Sequence, residues 1–100
     1  MAKAGGIPRL TATETLILEL LGSGEMYGLQ LVTTSRGRLK RGSVYVLLGR
    51  MEEKGLVEAR TEAKPAHAGL PRRLYRATGL GRRVLAAWAM MAAALSAETV

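Results

Sequence analysis

Positively charged side chains are the residues of this sequence best suited to chemistry, and that chemistry is contact with phosphate. Arg36, Arg38, Lys40 and Arg41 lie within one short segment that contains no acidic residue. The whole chain has 100 residues and a formal net charge of +7. Such a charge balance favours a polyanionic partner, first nucleic acid and second an anionic membrane surface. Because a charge run is usually only a solvated face, its meaning depends on the neighbouring elements.

The sequence offers little material for catalysis or metal binding. It contains no Cys, a single His and 8 acidic residues, all of them Glu. A catalytic triad, a carboxylate pair or a His-rich metal site would have to be assembled from these glutamates and His67. The glycine motifs that bind nucleotide phosphates do not occur. We therefore predict a protein that is not an enzyme and that uses no metal or cofactor.

The apolar runs and the cysteine content indicate the cellular compartment of the protein. The absence of Cys fits a reducing cytoplasm, and residues 1–9 lack the apolar core of a signal peptide. The longest apolar run, residues 84–95, is too short to span a bilayer. The last helix also lacks the basic face that an interfacial helix needs. We predict a cytoplasmic protein without a membrane partner.

Helical spacing and turn residues define the elements that must position the basic segment. Thr11 and Glu14 have the spacing of a capping box, so the first helix begins there and ends near Gly22. A second short helix is predicted from about residue 27 to 35, with Leu29 among its apolar contacts, and the basic segment connects it to the third. The third helix carries an apolar stripe of Val44, Leu47, Leu48 and Met51 and ends at Gly55.

Two strands and a long helix follow. Residues 56–62 and 72–77 have the pattern of half-buried strands, so with the loop between them they form a β-hairpin. Thr78 is expected to cap a helix that runs to about Ala97. Residues 84–95 of this helix are apolar on every side, so it must be buried on more than one side. Its large residues have the 4-3-4 spacing of a helix pair, and a second copy is the expected partner; the predicted dimer interface is Val84, Trp88, Met91 and Leu95.

This order of elements predicts a mainly α fold with a small β-hairpin, a winged helix-turn-helix followed by a C-terminal dimerisation helix. We expect a flexible N-terminal tail at 1–9, a DNA-binding domain at 10–77, the dimerisation helix at 78–97 and a tail at 98–100.

The third helix would be the recognition helix, with the hairpin as the wing. Val46 can touch a thymine methyl, and Gly49 lets the helix sit deep in the major groove unless it is a surface residue without a role. The hydroxyls of Ser43 and Tyr45 can donate hydrogen bonds to phosphates, although Tyr45 can also be a residue at the edge of the core. Of the adjacent Arg72 and Arg73, we expect one to face DNA, and His67 to be solvated. The predicted DNA-binding residues are Arg36, Arg38, Lys40, Arg41, Ser43, Tyr45, Val46, Gly49, Arg50, Lys64, Arg72 and Arg73.

The chain resembles regulators of the PadR family over most of its length, from about Leu10 to Arg83. The resemblance is carried, in order, by residues 10–22, Met26-Tyr-Gly28, Gly42-Ser-Val-Tyr45, residues 50–57, residues 71–78 and Gly81-Arg82. It implies a homodimeric repressor that binds double-stranded DNA, in the smaller subgroup with one short C-terminal helix. It also implies a small hydrophobic effector between the subunits, for which Trp88, Met90 and Met91 are candidates; packing in the dimer core is the alternative for Trp88.

Two positions depart from the family pattern, and two other functions stay open. Arg41 stands where the family usually has Pro, and Gly49 where it often has Lys or Arg, so the operator sequence is less predictable than the fold. A winged-helix module that binds an acidic protein, or a non-specific architectural DNA-binding protein, would also be basic.

Overall fold

The computed structural model describes residues 7–62 and 72–98. The elements are α1 (Ala12–Leu21), β1 (Met26–Tyr27), α2 (Gly28–Thr34), α3 (Val44–Glu53), β2 (Val57–Thr61), β3 (Arg73–Ala77) and α4 (Gly79–Glu98). The predicted order of helices and hairpin strands is confirmed. Residues 1–6 and 99–100 of the predicted tails, and the wing loop with Lys64 and His67, lie outside the described residues.

The antiparallel sheet has three strands in the order β1-β3-β2, one strand more than predicted. Val57 pairs with Ala77 and Thr61 with Arg73, which sets the register of the hairpin. Met26 pairs with Tyr75 on the other side of β3. A strand of two residues is too short to produce a periodic pattern, so the sequence did not indicate it. Because β1 leads directly into α2, it attaches the hairpin to the helix-turn-helix.

The core lies between α1, α2 and α3, the inner face of the sheet and the first half of α4. Val44, Leu48 and Met51 of the predicted stripe are fully buried, and Leu47 is half-buried. Burial of each such side chain stabilises the fold by about 1.5–3 kcal/mol. Leu29, one of the predicted apolar contacts of the second helix, is 43% exposed and does not belong to this core. The buried hydrophobic residues are Leu16, Ile17, Leu18, Leu21, Leu31, Leu39, Val44, Leu48, Met51, Leu56, Val57, Tyr75, Ala77 and Val84.

The predicted capping box begins α1 and also joins α1 to the end of α3. The Thr11 N–H donates to Glu14 Oε1 at 2.9 Å, and the Glu14 N–H donates to Thr11 Oγ1 at 3.1 Å. Lys54 Nζ lies 2.8 Å from Glu14 Oε2. Burial of Glu14 opposes its ionisation, but the hydrogen bonds from Lys54 and Thr11 outweigh this effect and lower its pKa below the ordinary 4.5.

The start of α4 packs against the turn that follows α3. Thr78 Oγ1 accepts from the Gly81 N–H at 3.0 Å, as expected of the predicted cap, and donates to the carbonyl of Gly55 at 2.6 Å. The Thr78 N–H donates to the carbonyl of Leu56 at 3.0 Å. A Cβ on Gly81 would lie 2.1 Å from that same carbonyl oxygen. Gly81 is therefore required by close packing.

The two halves of α4 differ in burial. Val84 is 4% exposed and packs in the core of its own chain, so the predicted dimer interface needs correction at this residue. Trp88 is half-buried, whereas Met91 and Leu95 are exposed. Neither α4 nor any other helix within residues 7–62 and 72–98 is long and apolar enough to cross a membrane.

Candidate nucleic-acid interface

The basic connector between α2 and α3 is held by two buried side chains. Ser35 Oγ donates to the carbonyl of Val32 at 2.8 Å and accepts from the Leu39 N–H at 2.9 Å. Ser35 and Leu39 are both buried. Between them the backbone takes positive φ at Arg36 (55°) and Gly37 (89°), which makes a tight turn. The sequence pattern did not indicate this role of Ser35; a lone Leu within a polar segment was the available clue.

The charged side chains divide into a paired set and an unpaired set. Ion pairs join Glu14 to Lys54, Glu25 to Arg60, Glu52 to Arg73 and Glu58 to Arg76. In the part of the chain that the structure describes, no carboxylate lies within ion-pair distance of the exposed cations of the connector and α3. These cations are Arg36, Arg38, Lys40, Arg41 and Arg50. Unneutralised positive charge therefore lies beside the helix predicted to enter the major groove.

The outer side of α3 presents small and exposed residues. Val46 and Arg50 are exposed, and in the described residues no atom lies within 4 Å of a Cβ placed on Gly49. Packing within the chain therefore does not require glycine at position 49. Ser43 precedes the helix and makes no side-chain capping hydrogen bond within the described structure. Its hydroxyl stands at the helix N-terminus, where backbone N–H groups favour phosphate oxygens.

The position of Tyr45 is compatible with both roles that the sequence left open. Its ring lies so close to Gly28 of α2 that a Cβ placed on this glycine would be 2.5 Å from Cε1 of Tyr45. About half of the Tyr45 side chain nevertheless stays exposed. The residue thus sets the spacing of α2 and α3 and still offers its edge to a ligand.

The two arginines at the base of the wing have different partners. The guanidinium carbon of Arg72 lies 4.3 Å from the centre of the Tyr27 ring. The Tyr27 hydroxyl donates to the Glu62 carboxylate, and this hydrogen bond, together with burial, raises the pKa of Tyr27. Arg73 Nη2 lies 3.2 Å from Glu52 Oε2 on α3. A gap of about 260 Å³ separates the wing base from α2 and α3, and its lining is Tyr27, Leu29, Tyr45, Arg72, Arg73 and Tyr75.

The surface between α1 and α4 carries two mostly apolar hollows that share Glu19, Leu85 and Ala89. One measures about 350 Å³ and the other about 400 Å³. Trp88 lines the larger hollow, and its Nε1 donates to the carbonyl of Pro8 at 2.8 Å. Of the predicted effector residues, Met90 and Met91 do not line either hollow.

A helix-turn-helix with an exposed basic connector, followed by a β-hairpin packed on it, defines the winged helix-turn-helix class. The model of the PadR-like family of transcriptional regulators matches residues 17–87. The chain belongs to this family, as its sequence resemblance implied. No curated protein matches the sequence.

Solved structures with this fold include other PadR-family regulators. A PadR-family transcription regulator from hypervirulent Clostridium difficile is 25% identical, with 90% of this chain and 100% of that chain covered and a TM-score of 0.69. A PadR-like transcription factor from Bacteroides fragilis is 23% identical, with coverages of 87% and 85% and a TM-score of 0.74. Bacillus subtilis PadR in complex with operator DNA is 22% identical, with coverages of 81% and 48% and a TM-score of 0.71.

Proposed function

We propose that this regulator binds operator DNA as a homodimeric transcriptional repressor. The observation that carries the proposal is the group of cations on the connector and α3 that no carboxylate neutralises in the described structure. The complex of Bacillus subtilis PadR with operator DNA supports the same partner. In this proposal α3 enters the major groove, and the wing lies on the adjacent backbone.

The contacts divide into phosphate binding and base reading. Arg36, Arg38, Lys40 and Arg41 neutralise phosphates, with the hydroxyls of Ser43 and Tyr45 as further donors to the backbone. Val46 and Arg50 face the base edges, where a small apolar group suits a thymine methyl and a guanidinium suits guanine. If the four connector cations each bind one phosphate, the logarithm of the affinity falls with the logarithm of salt with a slope of about −3.6 per subunit.

The outer end of α4 supports the homodimer. Met90, Met91 and Leu95 are large apolar side chains on one exposed helical segment, and Leu95 is 63% exposed. The apolar hollows between α1 and α4, one of which extends to Ala92 of the same helix, offer a complementary surface to a second copy. Since the chain has a mass of 10.7 kDa, light scattering should report twice this value, and Leu95→Glu should shift the mass towards one chain.

The hollow beside Trp88 supports a small hydrophobic effector that relieves repression. Its lining is mostly apolar, and a volume of about 400 Å³ admits a flat ring system. Trp88 is the only Trp of the chain, so its fluorescence reports directly on occupancy. Saturable quenching by a phenolic compound, with loss of operator binding over the same concentration range, is the expected result; quenching without that loss would contradict the regulatory role.

DNA binding is tested by a fluorescence anisotropy titration with the DNA that lies upstream of the gene encoding this chain. The triple variant Arg38→Glu, Lys40→Glu and Arg41→Glu should lose binding while its circular dichroism spectrum stays unchanged. Unchanged binding by this folded variant would remove the main argument, that the connector cations contact DNA. No binding by the unmodified chain would favour the module for an acidic protein. Equal affinity for random duplex and upstream DNA would favour an architectural protein. Expression of a reporter from the upstream region, which should rise when the regulator is deleted, decides between repressor and activator.

A further inference from the structure

The ion pair between Glu52 and Arg73 places a carboxylate on one of the wing cations. Arg73 is the first residue of β3, and its Nη2 lies 3.2 Å from Glu52 Oε2 near the end of α3. The other wing-base cation, Arg72, stacks on the Tyr27 ring. Within the described residues, the charge of Arg73 is thus neutralised by a carboxylate, whereas Arg72 contacts an aromatic ring.

Glu52 lies on the side of α3 that faces the wing. Tyr45 precedes it by 7 residues, about two helical turns, so the two side chains share this side of the helix. Tyr45 and Arg73 line the same gap of about 260 Å³ between α2, α3 and the wing base. A phosphate group fits within such a volume, and in the described structure the Arg73 guanidinium that lines it is paired with the Glu52 carboxylate.

The Glu52–Arg73 ion pair is too exposed to contribute much to the stability of the fold. The side chains of Arg73 and Glu52 are 52% and 33% exposed, and ion pairs of this kind contribute little to stability. For the same reason a DNA phosphate can displace the carboxylate. The pair therefore has a larger effect on the positive charge of the wing than on the fold.

We propose that Glu52 sets the affinity of the wing for DNA of any sequence by holding Arg73 in an ion pair. The inference rests on the proposed DNA binding. Non-specific binding depends on the number of phosphates that free cations neutralise, so the Glu52–Arg73 pair lowers binding to random DNA. Glu52 thereby lowers the affinity of the wing for DNA without contacting a base.

The test compares two isosteric variants of the full chain. Glu52→Gln removes the carboxylate at the wing, and Glu58→Gln removes the carboxylate that pairs with Arg76 on the outer face of the sheet. Affinity for a random duplex is measured by anisotropy at several salt concentrations. Glu52→Gln should gain about one phosphate contact per subunit. For each subunit this steepens the log–log salt slope by about 0.9 and raises affinity about fivefold at 0.15 M salt. Glu58→Gln should bind as the unmodified chain does.

A second background separates release of Arg73 from simple removal of a negative charge. In a chain that carries Arg73→Gln, the further change Glu52→Gln should bring no gain in affinity. A gain of the same size in that background would overturn the proposal, as would unchanged or weaker binding by Glu52→Gln alone. If the unmodified chain does not bind its upstream DNA, the proposed function itself fails. If it binds and Glu52→Gln has no effect, only the role of Glu52 fails.

Discussion

Replacing Gly81 with alanine should separate the start of α4 from the turn after α3. The added Cβ would lie 2.1 Å from the carbonyl oxygen of Leu56 and 3.0 Å from its carbon. Both are backbone atoms, so no rotamer change can relieve the contact. The helix must move by roughly 1 Å to reach an ordinary separation, and this strains the bonds from Thr78 to Gly55 and Leu56.

The change in the free energy of unfolding is the sum of two destabilising contributions and one stabilising contribution. Forcing extra volume into a packed site costs about 1–3 kcal/mol, and weakening the buried hydrogen bonds of Thr78 adds about 1 kcal/mol. Alanine favours a helix over glycine by about 1 kcal/mol, which offsets part of the loss. We expect Gly81→Ala to lower the free energy of unfolding by about 1–3 kcal/mol.

Gly79→Ala is the matched control within the same helical turn. Its Cβ would meet only the end of the Arg83 side chain, at 3.2 Å, and that side chain can move. This variant should therefore be as stable as the unmodified chain or slightly more stable. Urea denaturation followed by circular dichroism measures both variants, at one protein concentration because the proposed dimerisation would contribute to stability. If Gly81→Ala unfolds at the same urea concentration as Gly79→Ala, the packing argument is refuted.

Three further predictions concern α1, the connector and the recognition helix. Because the folded state lowers the pKa of Glu14 below 4.5, its contribution to stability is present above that pH and is lost as the pH falls through the folded pKa. Glu14→Gln should flatten the acid side of a plot of melting temperature against pH, and an equal effect from the exposed Glu19→Gln would contradict this reasoning. Ser35→Ala leaves the buried N–H of Leu39 without its acceptor and should cost about 1–3 kcal/mol, with faster hydrogen exchange at Leu39; unchanged exchange would show that the serine does not anchor the connector. Tyr45→Phe keeps the ring against α2 and removes the hydroxyl, so operator affinity should fall several-fold in anisotropy titrations while the melting temperature stays within about 2 °C. Unchanged affinity would assign Tyr45 to packing alone.

The element order of the winged helix-turn-helix was predictable because each element leaves a local pattern in the sequence. The capping box at Thr11, the stripe through Val44 and Met51 and the glycine at position 55 are local features, and the structure places them as predicted. The group of connector cations was equally predictable, since a run of like charges without acids is visible in the sequence itself. Which cations lack carboxylate partners required the structure, because Glu25–Arg60 and Glu52–Arg73 are each distant in sequence.

By itself the sequence determined the class of fold, the position of the basic connector and the resemblance to PadR regulators. Only the tertiary structure decided which residues meet across the chain: β1 with β3, Gly81 with the carbonyl of Leu56, and Glu52 with Arg73. It also placed Val84 in the core of its own chain. Periodicity reports which residues of an element are apolar, but it does not report which neighbour covers them. That choice depends on how the elements pack, and packing joins residues far apart in the sequence.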